Sequence, residues 1–140
     1  MTVIVDAAPL VALGDSNDRL SPTVEHLLKT IDGPLVIPAL VTAEVDYLLG
    51  QRLGRGAQRR FLADLAAGRF TVAGLESDDY TTVQEIDARH ADLELGLADC
   101  SIVVLAHRYQ TTRIVSFDER HFRVVRPLQG KAFTILPADG

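Results

Sequence analysis

Residues 3–13 read VIVDAAPLVAL, and the change of character inside this stretch decides the fold. Val3-Ile4-Val5 is a β-branched run, apolar on both faces, as a strand inside a sheet covered on both sides requires. Asp6 ends it, and from Pro9 to Leu13 the spacing turns helical. The same alternation continues along the chain. Ser21-Pro22 opens a helix through about Ile31, with proline in the first turn where its missing N–H costs nothing. Leu35 to Ile37 is the next strand. Helical spacing from Pro38 to about Leu53 stops near Gly54, and a helix from Ala57 to Ala67 ends at Gly68. Phe70 to Ala73 reads as a strand, Asp79 to Arg89 and Leu97 to Tyr109 as helices, and Arg113 to Ser116 and Phe133 to Leu136 as strands. Short strands separated by helices indicate a parallel sheet between two helical layers. The expected fold class is α/β, a three-layer α/β/α sandwich with a short central parallel sheet.

The bulk numbers agree with such a fold. A chain of 140 residues, 47% hydrophobic and 24% charged, suits one globular domain over residues 1–140. No repeat, linker or low-complexity tract interrupts it. No apolar stretch approaches the roughly 18 residues of a membrane span, and MTVIVDAAP lacks the basic region of a cleaved signal. Cys100 is alone, so it can neither staple the fold nor join a thiolate metal site; a reducing, cytoplasmic setting with Cys100 as a buried small hydrophobe is expected. The formal net charge of -5 argues against a nucleic-acid partner. That argument weakens if the acids converge on a cation.

Asp6 follows the first strand and Asp118 follows the strand ending at Ser116. In open parallel sheets, ligands bind beyond the carboxyl ends of strands, so both acids are expected at that edge. Taken singly, each is as well explained as a helix cap or turn former. Glu44 lies four residues from both Leu40 and Leu48, with Val41 and Tyr47 flanking, and is expected along the apolar stripe of its helix, with Asp46 on the opposite face. Asp99 shares a helix face with Ile102, Val103 and Ala106; its first-turn position also suits a plain dipole partner. An inward acid is costly unless paired or bound to a cation. Four acids so placed repel one another without a divalent ion, and hard oxygen donors imply Mg²⁺ or Mn²⁺ rather than zinc. Asp92, seven residues before Asp99, is a further candidate, while Asp15, Asp18, Glu76, Asp78 and Asp79 read as solvated turn acids.

Other chemistries are excluded by their absence. There is no GxSxG elbow, no phosphate loop ending in GK[ST], no GxGxxG after the first strand and no paired cysteine. His26, His90, His107 and His121 lack HExxH spacing. His121 is the one histidine near a proposed ligand, and packing or solvation is its ordinary expectation.

VIVDAAPLVAL, IPALVTAEVDYLL, LGLADCSIVVLAHR and RIVSFDERHF, with a final strand ending in Leu136-Pro137, together resemble a PIN-domain nuclease across nearly the whole chain. Within that superfamily they most resemble the VapC-type toxins of prokaryotic toxin–antitoxin systems. By resemblance Asp6, Glu44, Asp99 and Asp118 take the four acidic positions. Ser116 takes the hydroxyl position two before the last acid, and Asp92 an additional acid that often precedes the third motif; both would support the ligands from behind. One departure is visible, since Ala7-Ala8 stand where the family usually has a Thr or Ser pair.

The resemblance implies an Mg²⁺-dependent endoribonuclease, with Mn²⁺ as an alternative ion, held by Asp6, Asp99 and Asp118. Glu44 would position water or act as base. It also implies a homodimer and a cognate antitoxin, a segment of which folds into or beside the acidic groove and whose arginine could displace the metal. Arg52, Arg55, Arg59 and Arg60 are candidates for the RNA backbone, and Arg120, Arg123 and Arg126 form a second basic group. Two other readings compete: a phosphatase or phosphotransferase of haloacid-dehalogenase or receiver type, which lacks its DxD or strand-end Lys here, and a non-catalytic or weakly catalytic PIN-like module that binds RNA or protein.

Overall fold

The computed structural model describes residues 1–140. Five strands, β1 (Val3–Val5), β2 (Leu35–Pro38), β3 (Thr71–Ala73), β4 (Arg113–Val115) and β5 (Thr134–Leu136), form one sheet in the order β3-β2-β1-β4-β5. Every neighbouring pair is parallel. The register puts Ile4 beside Val36 on one side and Ile114 on the other, so β1 is the most enclosed strand.

Alternate side chains of the strands feed two separate cores, as the period-2 pleat demands. Val3, Val5, Ile37, Val115 and Leu136 pack with α1 (Ala7–Leu13), α2 (Ser21–Thr30), α3 (Ala39–Leu53) and α4 (Arg55–Ala66). Ile4, Val36, Ile114 and Ile135 pack with α5 (Asp79–Arg89) and α6 (Leu97–Arg108). Chain order explains the layers: β1 to β3 step one way across the sheet with α1–α4 between them, and β4 and β5 are added on the other side of β1. With right-handed crossovers, reversing direction puts the intervening helices on the opposite face. The expected three-layer α/β/α sandwich is what forms. α6 is buried continuously from Cys100 to Ala106, which its lack of any polar stripe requires.

Element ends differ from the sequence expectation where a cap intervenes. α1 starts at Ala7, before Pro9, because the Asp6 carboxylate accepts the Ala7 amide. Gly54, at φ 94°, ends α3 and begins α4 in a conformation open to glycine alone at little cost. Two short elements lie outside the sequence expectation: a 3₁₀ turn at Ala91–Leu93 and α7 at Glu119–Phe122. Asp79 is not simply solvated, since it accepts the Glu76 amide and pairs with Arg108 of α6. No helix is long and apolar enough to cross a membrane.

Candidate active site

Strand order reverses at β1, so the carboxyl ends of β1 and β4 flank a crevice of the kind that receives ligands in open α/β sheets. The first residue beyond each strand enters it. The Asp6 amide donates to Val115 O at 2.9 Å, carrying the ladder one step past β1. Asp6 is 9% exposed, and its two carboxylate oxygens accept the Ala7 amide and the Ser116 hydroxyl, each at 2.8 Å. Ser116 Oγ in turn accepts the Asp118 amide at 3.0 Å. Burial pushes the Asp6 carboxyl up to about 6; the two hydrogen bonds oppose this, and the charges of Asp99 and Glu44 reinforce it. Ser116 thus stands directly behind Asp6. With both oxygens of Asp6 satisfied, Ala7-Ala8 leave no donor wanting.

Asp99 lies in the first turn of α6, beside Asp6. Its carboxyl is raised by burial, with His121 opposing and Asp118 adding to the shift. Asp118 caps α7, its Oδ1 accepting the His121 amide at 3.0 Å. His121 Nδ1 then stands 3.0 Å from Asp99 Oδ2 and 2.9 Å from Asp118 Oδ2. The expectation of packing or solvation for His121 is therefore overturned: it joins two of the acids. The Asp-x-x-His spacing was the available signal, because an Asp N-cap turns the side chain three residues on toward itself.

Glu44 reaches the cluster by a different route from the one its sequence position suggests. The buried stripe of α3 is Val41, Val45 and Leu49; Leu40 and Tyr47 are exposed, and Glu44 is exposed with them. One residue is a 100° turn of a helix, so the expected stripe lies one position out of place. Glu44 lies close enough for its charge to act on Asp6. Asp92 is exposed on the 3₁₀ turn and makes no hydrogen bond or ion pair with the acids. Cys100 is buried as expected, and burial pushes its thiol up to about 11.

Arg52, Arg55, Arg59 and Arg60 are all exposed around the α3–α4 turn. Arg52 lies eight residues beyond Glu44, about 12 Å along the helix axis. Of the second basic group, Arg123 is held by Glu119 at 2.8 Å and Asp139 at 2.6 Å, whereas Arg120 and Arg126 are exposed without an ion pair. A cavity of about 440 Å³ between α1, α2 and α4 is lined by none of the four acids. Asp6 and Asp118 lie instead just beyond the carboxyl ends of β1 and β4.

No lysine or arginine pairs with Asp6, Glu44, Asp99 or Asp118; the one basic side chain in reach of any of them is His121, through its Nδ1. Asp99, Asp118 and His121 each offer a donor atom within 4.8 Å of the others. Clustered, partly buried carboxylates without a lysine or arginine partner fit a divalent cation, whose charge would reverse the upward shifts of Asp6 and Asp99.

Comparison with known proteins agrees with this geometry. The PIN domain family model matches residues 3–127. Ribonuclease VapC26 of Mycobacterium tuberculosis (strain ATCC 25618 / H37Rv) is 33% identical over 135 residues, covering 96% of this chain and all of that one. The crystal structure of M. tuberculosis VapC20, a Sarcin-Ricin loop cleaving toxin, superposes with a TM-score of 0.76 at 22% identity, over 83% of this chain and 89% of that one. VapBC2 from Rickettsia felis, solved bound to a DNA fragment from its promoter, gives 0.68 at 16% identity, over 91% and 96%. The structural likenesses establish the fold, and the family match together with the VapC26 identity places the sequence: the chain belongs to the PIN-domain family, among its VapC members.

Proposed function

We infer that this protein is a metal-dependent endoribonuclease that cleaves RNA phosphodiester bonds as the toxin of a toxin–antitoxin pair. The observation that carries the reading is the gathering of Asp6, Glu44, Asp99 and Asp118 at one sheet edge with no lysine or arginine to neutralise them. Mg²⁺ is the proposed ion, Mn²⁺ the alternative, with Asp6, Asp99 and Asp118 as ligands. When bound, such an ion supplies Lewis-acid polarisation of the phosphodiester and a nucleophile at neutral pH.

The chain's own groups do the rest. Asp6 and Ser116 form a rigid floor, because both carboxylate oxygens are held by hydrogen bonds. Glu44, exposed and near enough for its charge to act on Asp6, would orient the attacking water and accept its proton. Arg52, Arg55, Arg59 and Arg60 hold the RNA backbone away from the scissile bond, and phosphate contacts of that kind position without selecting sequence. That solved structures of this fold include a toxin–antitoxin complex supports a cognate antitoxin here, and a homodimer in the cytoplasm completes the reading. An antitoxin arginine could pair with the acids that no lysine or arginine of this chain satisfies.

The test is incubation of structured RNA with the purified protein and Mg²⁺ or Mn²⁺, with and without a chelator. Cleavage abolished by the chelator is expected. Tight RNA binding with no cleavage in either ion would instead favour the non-catalytic module.

A further inference from the structure

We propose that His121 is a nitrogen ligand, forming with Asp99 and Asp118 a two-carboxylate, one-imidazole position that takes Mn²⁺ in preference to Mg²⁺. The proposal rests on the nuclease reading above and concerns which ion that site prefers.

The distances suit a ligand set. Donor atoms on adjacent corners of an octahedron with bonds near 2.1 Å lie about 3.0 Å apart. His121 Nδ1 stands 3.0 Å from Asp99 Oδ2 and 2.9 Å from Asp118 Oδ2. The three side chains also come from two rigid elements. Asp99 is in the first turn of α6, and Asp118 spends its Oδ1 on the His121 amide, which leaves Oδ2 for the crevice.

α7 itself is pinned from both ends. Phe122, 1% exposed, meets Phe133 edge-on with ring centroids 5.9 Å apart. Arg123 bonds Glu119 at 2.8 Å and Asp139 at 2.6 Å, and Asp139 accepts the Ile135 amide of β5 at 2.7 Å. A four-residue helix with no cooperativity of its own is thereby fixed to the sheet, and the His121 ring with it. Such fixing is what an imidazole ligand needs, since orientation by the surroundings sets its affinity. Both carboxylate contacts of the ring use Nδ1, which leaves Nε2 outside the ligand set.

Ion preference follows from the donor types. Mg²⁺ is a hard ion that takes oxygen and keeps several waters, whereas imidazole is a ligand of first-row transition ions; of the two ions that a carboxylate cluster suits, Mn²⁺ is the one that belongs to that row and accepts nitrogen more readily. An all-carboxylate site would discriminate little between Mg²⁺ and Mn²⁺. One with His121 favours Mn²⁺.

The test uses the metal-depleted protein as wild type, His121→Ala and His121→Gln, each checked for folding by circular dichroism. Mn²⁺ and Mg²⁺ are titrated separately by calorimetry at one pH. Bound Mn²⁺ is also examined by pulsed electron paramagnetic resonance for coupling to an imidazole nitrogen. Expected are nitrogen coupling in the wild type, its loss in both variants, a fall in Mn²⁺ affinity of about 10- to 100-fold, and a change in Mg²⁺ affinity of less than about threefold.

Two outcomes overturn the inference alone: metal binding without nitrogen coupling, or equal tightening of both ions in His121→Ala, which would make the ring a competing cation instead of a ligand. If the wild type binds neither ion, the metal-dependent reading falls with it. Should His121→Ala not fold, the wild-type coupling and the Gln variant decide.

Discussion

Ser116 Oγ donates a hydrogen bond to Asp6 Oδ2 at 2.8 Å. The same oxygen accepts the Asp118 amide at 3.0 Å, so one side chain ties together the acids that follow β1 and β4. Ser116→Ala leaves Asp6 buried with one donor fewer. The expected result is a loss of about 1–2 kcal/mol of folding stability and of about tenfold or more in divalent-ion affinity, read by denaturant unfolding and calorimetry. Unchanged affinity would mean that the hydroxyl does not orient the carboxylate.

The metal-free protein is expected to lose stability as pH rises. Burial raises the Asp6 carboxyl from 3.8 to about 6, so ionisation is harder folded than unfolded. Stability from this residue is therefore complete below the unfolded value near 4 and is lost as pH climbs through the folded value near 6. A shift of this size corresponds to about 3 kcal/mol at most. Asp99 shifts in the same direction and adds to the slope. Asp6→Asn should flatten the pH profile of the melting temperature between about pH 4 and 7 and raise it at neutral pH. A saturating divalent ion should stabilise the wild type over that range. A metal-free profile that rises through it would contradict the burial argument.

Glu44 is exposed, so its contribution to folding should be small. Glu44→Gln is expected to change stability by less than about 0.5 kcal/mol while cutting cleavage by about 100-fold, within the range for removal of a general base. Removing its charge also lets the Asp6 carboxyl titrate lower, which carbon-detected NMR of the Asp6 side chain can follow.

How much of this is legible in the sequence depends on local signals. The strand-end acids are readable because a β-branched run followed by Asp needs no tertiary information. Asp99 is readable because α6 is apolar on nearly every side and an acid there is conspicuous. Glu44 stands near the other acids, but not along the stripe its spacing suggests: α3 carries apolar residues on several faces, and Leu40 and Tyr47, which remain exposed, mask the true stripe at Val41, Val45 and Leu49. Asp92 is drawn in by its spacing to Asp99, but Gly96 caps α6 and breaks the continuity that spacing assumes. His121 is hidden from a periodicity reading, since the four residues of α7 carry no period and the Asp99 contact joins positions 22 residues apart.

The arginines around the α3–α4 turn are expected to act through charge alone. Changing Arg52, Arg55, Arg59 and Arg60 together to Gln should weaken RNA binding and lower the slope of log affinity against log salt by about 1 for each phosphate no longer neutralised. Their exposure predicts little change in melting temperature. A salt slope equal to that of the wild type would move the RNA path elsewhere, with the unpaired Arg120 and Arg126 next to be changed.

The convergence of the carboxylates on one catalytic centre is tested most directly by RNA cleavage at neutral pH with Mg²⁺ or Mn²⁺, comparing wild type with Asp6→Asn and Asp99→Asn. Both variants should remain folded and lose at least about 100-fold in rate, since even residues that only support metal ligands cost 10- to 100-fold. Cleavage by the two variants at the wild-type rate would contradict it.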